Sequence, residues 1–260
     1  TDLVARELAK RLSDGLGQPV VVDNRAGAGG NIGTAALAKA QPDGYTLGVM
    51  TVSAMSIGPH IHKSLSFVPN KDFTPITNIV NTPGAVLAGI KTPYNSLQDL
   101  VKAAKAQPGK VTYASVGLGS LPHLIAEKLS FDAGIGMVHI PYKGAGPLMQ
   151  DLLAGQVDFA FDSMGTSANQ IKAGKLRALA VTASSRSAII PDVPTMTEAG
   201  INGYGSVTTW YALWAIKGAP QNATDRMYAE TVKAMQQPDL KQIWDSQGAA
   251  TGGQPPAEFA

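Results

Sequence analysis

The chain has 260 residues, 44% of them hydrophobic and 15% charged, with a formal net charge of +2 and no cysteine. That balance fills cores and argues against disorder, and the slight charge, without a Lys/Arg run or a basic helix face, removes nucleic acid and anionic membrane from the expected partners. Without thiols there are no disulfides, cysteine-ligated zinc sites or thiol nucleophiles, which suits an oxidising compartment. The length suits two α/β domains of about 100 to 150 residues each. No apolar run approaches the roughly 18 residues of a membrane span, so no direct membrane insertion is expected. No charged, apolar and small-residue leader opens the sequence.

In chain order, Val4, Leu8 and Leu12 share one helical face, with Asp2 as a candidate cap and Gly15 as a candidate stop. Pro19 leads into Val20–Val22, which reads as a short buried strand, followed by the loop DNRAGAGG and the helix NIGTAALAKA. A strand over Tyr45–Val52 ends in Ser53, Ala54, Met55 and Ser56, residues suited to the rim of a sheet. Ser96 and Asp99 form a capping-box start for LQDLVKAAKA, which Pro108 and Gly109 stop. The grammar then repeats: strand Val111–Ser115, loop VGLGS and helix LPHLIAEKL with Pro122 in its first turn; then MVHIP, loop YKGAG and PLMQDLLAG. VDFAFD, SMGTS, a helical stretch to Ala173 and LRALAVT follow. Val207–Ile216 reads as a strand and Thr224–Gln236 as a helix, both expected to return to the first lobe. This alternation predicts mainly parallel sheets flanked by helices, with ligands at the carboxyl ends of strands.

The loops differ in what they specify. In AGAGGNIG, the pattern G-x-G-x-x-G counted from Gly27 puts Ile32 where the third glycine belongs, and no Lys-Ser or Lys-Thr pair follows, so nucleotide binding is not expected. A tight turn and a direct ligand role both remain open there. Ser115, Gly117, Gly119 and Ser120 lie between a strand end and a helix start, where backbone N–H groups can hold an anion, a carboxylate as well as a phosphate. The alternative is an ordinary turn capped by Ser120. His123 stands three residues after Ser120, but no G-x-S-x-G elbow or acidic partner supports a nucleophile and its base, so no catalytic residue is assigned. His60 and His62 lack a third ligand cluster, and neither metal nor cofactor is expected. Asp162 and Ser163 end an apolar strand as a helix cap or as ligand contacts, and Tyr142 and Lys143 stand at the same rim as contacts or as solvated loop residues. Met55, Phe161, Met164, Trp210 and Tyr211 can line an apolar pocket, although such residues are more often core.

The stretches TDLVARELAKRL, GQPVVVDNRAGAGGNIGTAALAKAQPDGYTLGV, SLQDLVKAAKAQPGKVTYASVGLGSLPHL, VHIPYKGAGPLMQDLLAGQVDFAF, IKAGKLRALAVT and PDVPTMTEAG resemble, in order and spacing, the Bug-type substrate-binding proteins of tripartite tricarboxylate transport. The resemblance implies a type 2 periplasmic-binding-protein fold, two α/β lobes with a ligand crevice between them, here residues 1–92 with 208–260 and residues 93–207. It implies capture of a small carboxylate by loop backbone and hydroxyl groups at Thr51, Ser53, Ala114, Ser115, Gly117, Gly119, Ser120, His123, Tyr142 and Asp162, with Thr1 and Asp2 bordering the ligand. Relatives usually carry a strand before the position of Thr1 and a helix beyond that of Phe259. The partners implied are membrane transporter subunits or a sensor, the location is periplasmic, and a monomer is expected. Two other readings share the residues: an extracytoplasmic sensor input module, and a hydrolase acting on a carboxylate derivative through Ser120 and His123.

Overall fold

A computed structural model describes residues 1–259. Two compact units are built from interleaved segments. Unit 1 comprises Thr1–Asn81, Trp210–Asp245 and Ala250–Ala260, and unit 2 comprises Thr82–Thr209 and Ser246–Ala249. The first boundary falls inside one long strand rather than at residue 92, because that strand gives its first half to one unit and its second half to the other.

Unit 1 begins with α1 (Asp2–Leu16), which buries Val4, Leu8 and Leu12 as their spacing predicts. Its ends differ from the sequence reading. Thr1 is the N-cap residue and Gly17, at φ 67°, ends the helix; Asp2 instead pairs with Arg6 at 2.8 Å and accepts from Asn24 at 2.5 Å. Val20–Val22 is not a strand: no ladder includes it among the described residues, Val21 is 85% exposed, and the Val20 N–H is taken by the Ser13 hydroxyl. An apolar run becomes a strand only where a partner edge is offered. After α2 (Asn31–Leu37), strand β1 (Leu47–Thr51) runs into a helical turn over Ser53–Ile57 and the short α3 (Gly58–Ile61). A further turn, α4 (Pro69–Asp72), precedes β2 (Phe73–Gly89).

Unit 2 takes up the second half of β2, then α5 (Leu97–Ala106), β3 (Thr112–Ser115), α6 (Leu121–Ala133), β4 (Val138–Pro141), α7 (Ala145–Ala154), β5 (Phe159–Ser163), α8 (Met164–Lys172) and β6 (Leu176–Val181). The α5 capping box forms as predicted, with Asp99 N–H donating to the Ser96 hydroxyl and Ser96 N–H to the Asp99 carboxylate. The chain returns to unit 1 through β7 (Thr208–Ile216), α9 (Gln221–Met235), α10 (Pro238–Asp245), β8 (Ala250–Thr251) and α11 (Pro256–Phe259).

Pairing is mixed, which corrects the expectation of mainly parallel sheets. Parallel ladders join β3 to β4 and β3 to β5, whereas β1–β7, β2–β5, β2–β6 and β2–β8 are antiparallel. The cause is β2, which sequence reading passed over because Pro75, Pro83 and Gly84 interrupt it. Pro83 falls between the stretch bonded to β8 at Val80–Asn81 and the stretch bonded to β5 at Gly84–Ala88, so its missing N–H removes no ladder bond from either. The core of unit 2 lies on both faces of its sheet. One side holds Tyr113, Leu100, Leu129, Phe159 and Phe161, and the other Leu148, Leu152, Ala160 and Met164. No helix among the described residues is long and apolar enough to cross a membrane.

Candidate functional site

In unit 2 the parallel strands β3, β4 and β5 lie side by side; β3 and β4 pass through short loops into helices, and β5 passes straight into α8. This is where an α/β sheet presents loop backbone and helix N-termini to a ligand. Loops 116–120 and 142–144 and the β5–α8 junction therefore form one rim. Among the residues 116–120, 142–144 and 162–166, Lys143 is the one cationic side chain.

The loop after β3 is a closed polar network. Gly117 (φ 130°) and Gly119 (φ 76°) take backbone conformations that side chains resist, which folds the loop back on itself. Gly117 N–H donates to the Ser115 hydroxyl at 3.2 Å, while Ser120 sends both its N–H (3.1 Å) and its hydroxyl (2.6 Å) to the Gly117 carbonyl. Gly119 N–H donates to Nδ1 of His123 at 3.3 Å. Two sequence readings are corrected by this geometry. Ser120 stands at the N-cap of α6 without capping it through its side chain, because the hydroxyl is already held by Gly117. Nor does Nδ1 of His123 face the Ser120 hydroxyl, since it accepts from the Gly119 N–H. The N–H groups of Gly117, Gly119 and Ser120 are bonded inside the protein rather than waiting for an anion.

Behind the loop lies a cluster that sequence reading missed. Ser115 Oγ and Nε2 of His139 are 2.7 Å apart. The His139 ring stacks on Tyr113 with centroids 4.9 Å apart and lies 4.3 Å from the ring of His123. The Tyr113 hydroxyl donates to the Glu127 carboxylate. Burial lowers the basicity of both histidines, with Glu127 opposing it; His139 is lowered further by its neighbour His123. Burial, then the hydrogen bond and charge of Glu127, pushes the Tyr113 hydroxyl well above the usual phenol range. Only the β-strand alternation in VHIP, which places His139 and Tyr113 opposite one another in register, marks this contact in the sequence.

The remaining predicted residues fall into three groups. Ala114 is fully buried, its register partners lying in β4 and β5 on its two sides, and it packs in the core, so its side chain serves packing rather than a ligand. Tyr142 joins the rim through its N–H to the Ser115 carbonyl at 2.9 Å, but its hydroxyl donates to Asp151 on α7 at 2.7 Å. Burial and then Asp151 raise that hydroxyl to a pKa of about 12. Asp162, buried at the end of β5, accepts from Ser163 N–H at 2.8 Å and the Thr166 hydroxyl at 2.7 Å, so it organises the start of α8. Burial pushes its carboxyl upward against those two bonds. Ser163 caps α8 by accepting from Gly165 N–H at 3.2 Å and lies 2.7 Å from the Thr82 hydroxyl.

In unit 1, Thr51 closes β1 opposite Tyr211, and Ser53 is buried at the first position of the following turn. Thr1 contributes its carbonyl to the Ala5 N–H at 2.9 Å, and the Asp2 carboxylate is engaged by Arg6 and Asn24. Met55 and Trp210 pack in the unit 1 core, and Phe161 and Met164 in the unit 2 core, as the plainer reading of the apolar residues has it.

A two-unit α/β chain with loops gathered at parallel strand ends has the architecture of solute-binding proteins, which other α/β folds share. Its family follows from comparison: the model described as "Tripartite tricarboxylate transporter family receptor" matches residues 4–251, and the chain belongs to that family. Among curated relatives, Protein BugT of Bordetella pertussis is 39% identical over 96% of this chain and 76% of its own length. Two solved structures are similar throughout. "R. palustris Rpa4515 with adipate" is 31% identical at a TM-score of 0.94, covering 99% of this chain and 86% of that one. "MatC (Rpa3494) from Rhodopseudomonas palustris with bound malate" is 30% identical at a TM-score of 0.92, covering 100% and 87%.

Proposed function

We propose that this receptor captures a small carboxylate outside the cytoplasmic membrane and delivers it to the membrane subunits of a tripartite transporter, acting as a monomer and without chemical turnover. The observation that carries the reading is the rim at the ends of β3, β4 and β5, where N–H and hydroxyl groups outnumber cations and no arginine is present in the three loops. Such a rim suits an anion that enters by exchange, taking over neutral donors that the free protein bonds internally. Similar chains hold adipate and malate, both short carboxylates, which supports the same ligand class here. The bonds of Ser120 and His123 to Gly117 and Gly119 count against a hydrolytic pair. The division into two units that share one long strand supports hinged capture.

Native mass spectrometry of the purified protein, followed by a thermal-shift screen of organic acids and nucleotides, tests the reading. A ligand at 100 times its dissociation constant adds about 2.7 kcal/mol, which is readily seen as a rise in Tm. Stabilisation by nucleotides and by no organic acid contradicts the proposal. Small-angle scattering tests the hinge, with a smaller radius of gyration expected at saturation and an unchanged one contradicting it.

A further inference from the structure

Of the histidine pair behind the glycine loop, the family resemblance implies a ligand contact at His123 and none at His139, and it specifies no protonation chemistry for either. His123 on α6 is the acceptor for Gly119 N–H, so its Nδ1 carries no proton and its neutral ring holds the proton on Nε2. The ring is half-buried against His139. From this arrangement we propose that His123 is a positioning residue that couples carboxylate capture to proton uptake. Its neutral ring keeps the Gly119 N–H inside the protein, and its imidazolium releases that N–H to the bound anion. The inference rests on the reading of loop 116–120 as the carboxylate site.

Taking up a proton from solvent at Nδ1 turns the acceptor into a second donor facing Gly119 N–H, and two donors cannot bond to each other. The amide must then find another acceptor, and an entering carboxylate supplies one. Of the bonds that close the loop, the 3.3 Å bond to His123 is the one whose acceptor becomes a donor on protonation, so it is the one exchanged. The imidazolium also provides positive charge that the loop's own side chains lack. Burial lowers the basicity of His123 in the free protein, and an anion seated on the loop favours the charged ring.

The surroundings disfavour a second proton on the pair. His139 from β4 lies 4.3 Å from His123 between centroids, so two imidazolium rings would repel. Tyr113 and Ser115 face the pair from β3, with Ser115 bonded to His139 and Tyr113 to Glu127. Glu127, on the same helix as His123, favours the protonated ring. Just before β5, Asp158 is held by Thr112 and Tyr94, and within it Asp162 is held by Ser163 and Thr166. Lys128 and Asp132 of α6 pair with each other at 2.6 Å.

Titration calorimetry with a panel of short mono- and dicarboxylates that includes adipate and malate, at about pH 6 and about pH 8 and in two buffers of different ionisation enthalpy, tests the inference. The parent is expected to bind about tenfold more tightly at the lower pH and to take up a proton on binding. His123→Asn keeps an oxygen acceptor for Gly119 N–H but cannot be protonated, so its affinity should be flat across the same range. An NMR titration of the His123 ring in the parent reads the same event directly, with ligand raising its pKa, and decides the matter if the variant fails to fold. Binding without proton uptake, or a pH dependence that survives in His123→Asn, overturns this inference and leaves the carboxylate reading intact. A parent that binds no member of the panel at either pH overturns both.

Discussion

Two glycine-rich loops look alike in the sequence and are built differently. Loop 27–30 follows an unpaired segment and takes its shape from backbone conformation, with four successive positive φ angles at Gly27, Ala28, Gly29 and Gly30. Its bond Gly30 N–H to Gly27 carbonyl, at 3.0 Å, is internal to the backbone. Loop 116–120 follows a strand paired on both sides and is tied to side chains, Ser115, Ser120 and His123. Glycine content shows where a chain turns tightly. The polar side chains around the turn decide whether it can exchange its hydrogen bonds for a ligand's.

Substitutions can separate the two roles. The largest effect is expected for Gly119→Val, where a β-branched residue at φ 76° is strained and disturbs the loop that carries the Gly119 N–H. Calorimetry should show carboxylate affinity reduced more than about 100-fold, or roughly 2.7 kcal/mol, with circular dichroism unchanged. Parent-like binding by the folded variant would reduce loop 116–120 to a turn. Gly30→Val makes the opposite demand. An added Cβ there meets nothing closer than the Ala54 Cβ at 3.8 Å, so the cost is expected chiefly from backbone strain at φ 101°. Denaturant unfolding should register a stability loss of about 1 to 3 kcal/mol with affinity unchanged, and a loss of affinity instead would make loop 27–30 part of the site.

A smaller effect is expected for Ser120→Ala. Its hydroxyl is bonded to the Gly117 carbonyl, so the variant loosens the loop rather than removing a ligand contact. One such hydrogen bond is worth about 1 kcal/mol, which calorimetry would read as affinity reduced about fivefold to tenfold. A variant with parent-like affinity would show the loop to be held without this bond. The smallest effect concerns pH. Both His123 and His139 have folded-state pKa values below that of a free imidazole, so the unfolded chain binds protons more readily than the folded one. Stability of the ligand-free protein is therefore present above about pH 6.5 and declines as pH falls through the lowered values. Thermal unfolding should show this decline, and His139→Asn should flatten it; a Tm that rises on acidification contradicts the assignment.

How much of this the sequence discloses depends on how local the cause is. The helix of Leu121–Ala133, its Pro122, the strand before it and the two glycines are set by short-range pattern, and all are legible. Strand β2 is not, because Pro75, Pro83 and Gly84 read as breakers until its successive partners are known. Val20–Val22 shows the converse, an apolar run with no edge to join. In the site, Ser115, Gly117, Gly119, Ser120 and His123 are brought together as their spacing suggests. The use of each does not follow from that spacing, because it depends on His139, 24 residues from Ser115 and supplied by the neighbouring strand.

The most direct test of the central claim is an amide NMR titration of the parent protein with a carboxylate whose saturation has been established by calorimetry. The account predicts its largest unit 2 shifts at Gly117–Ser120, led by Gly119, as that N–H exchanges His123 for the ligand, while the amides of Gly27–Gly30 move little. Saturation that leaves Gly117–Ser120 unmoved would contradict it.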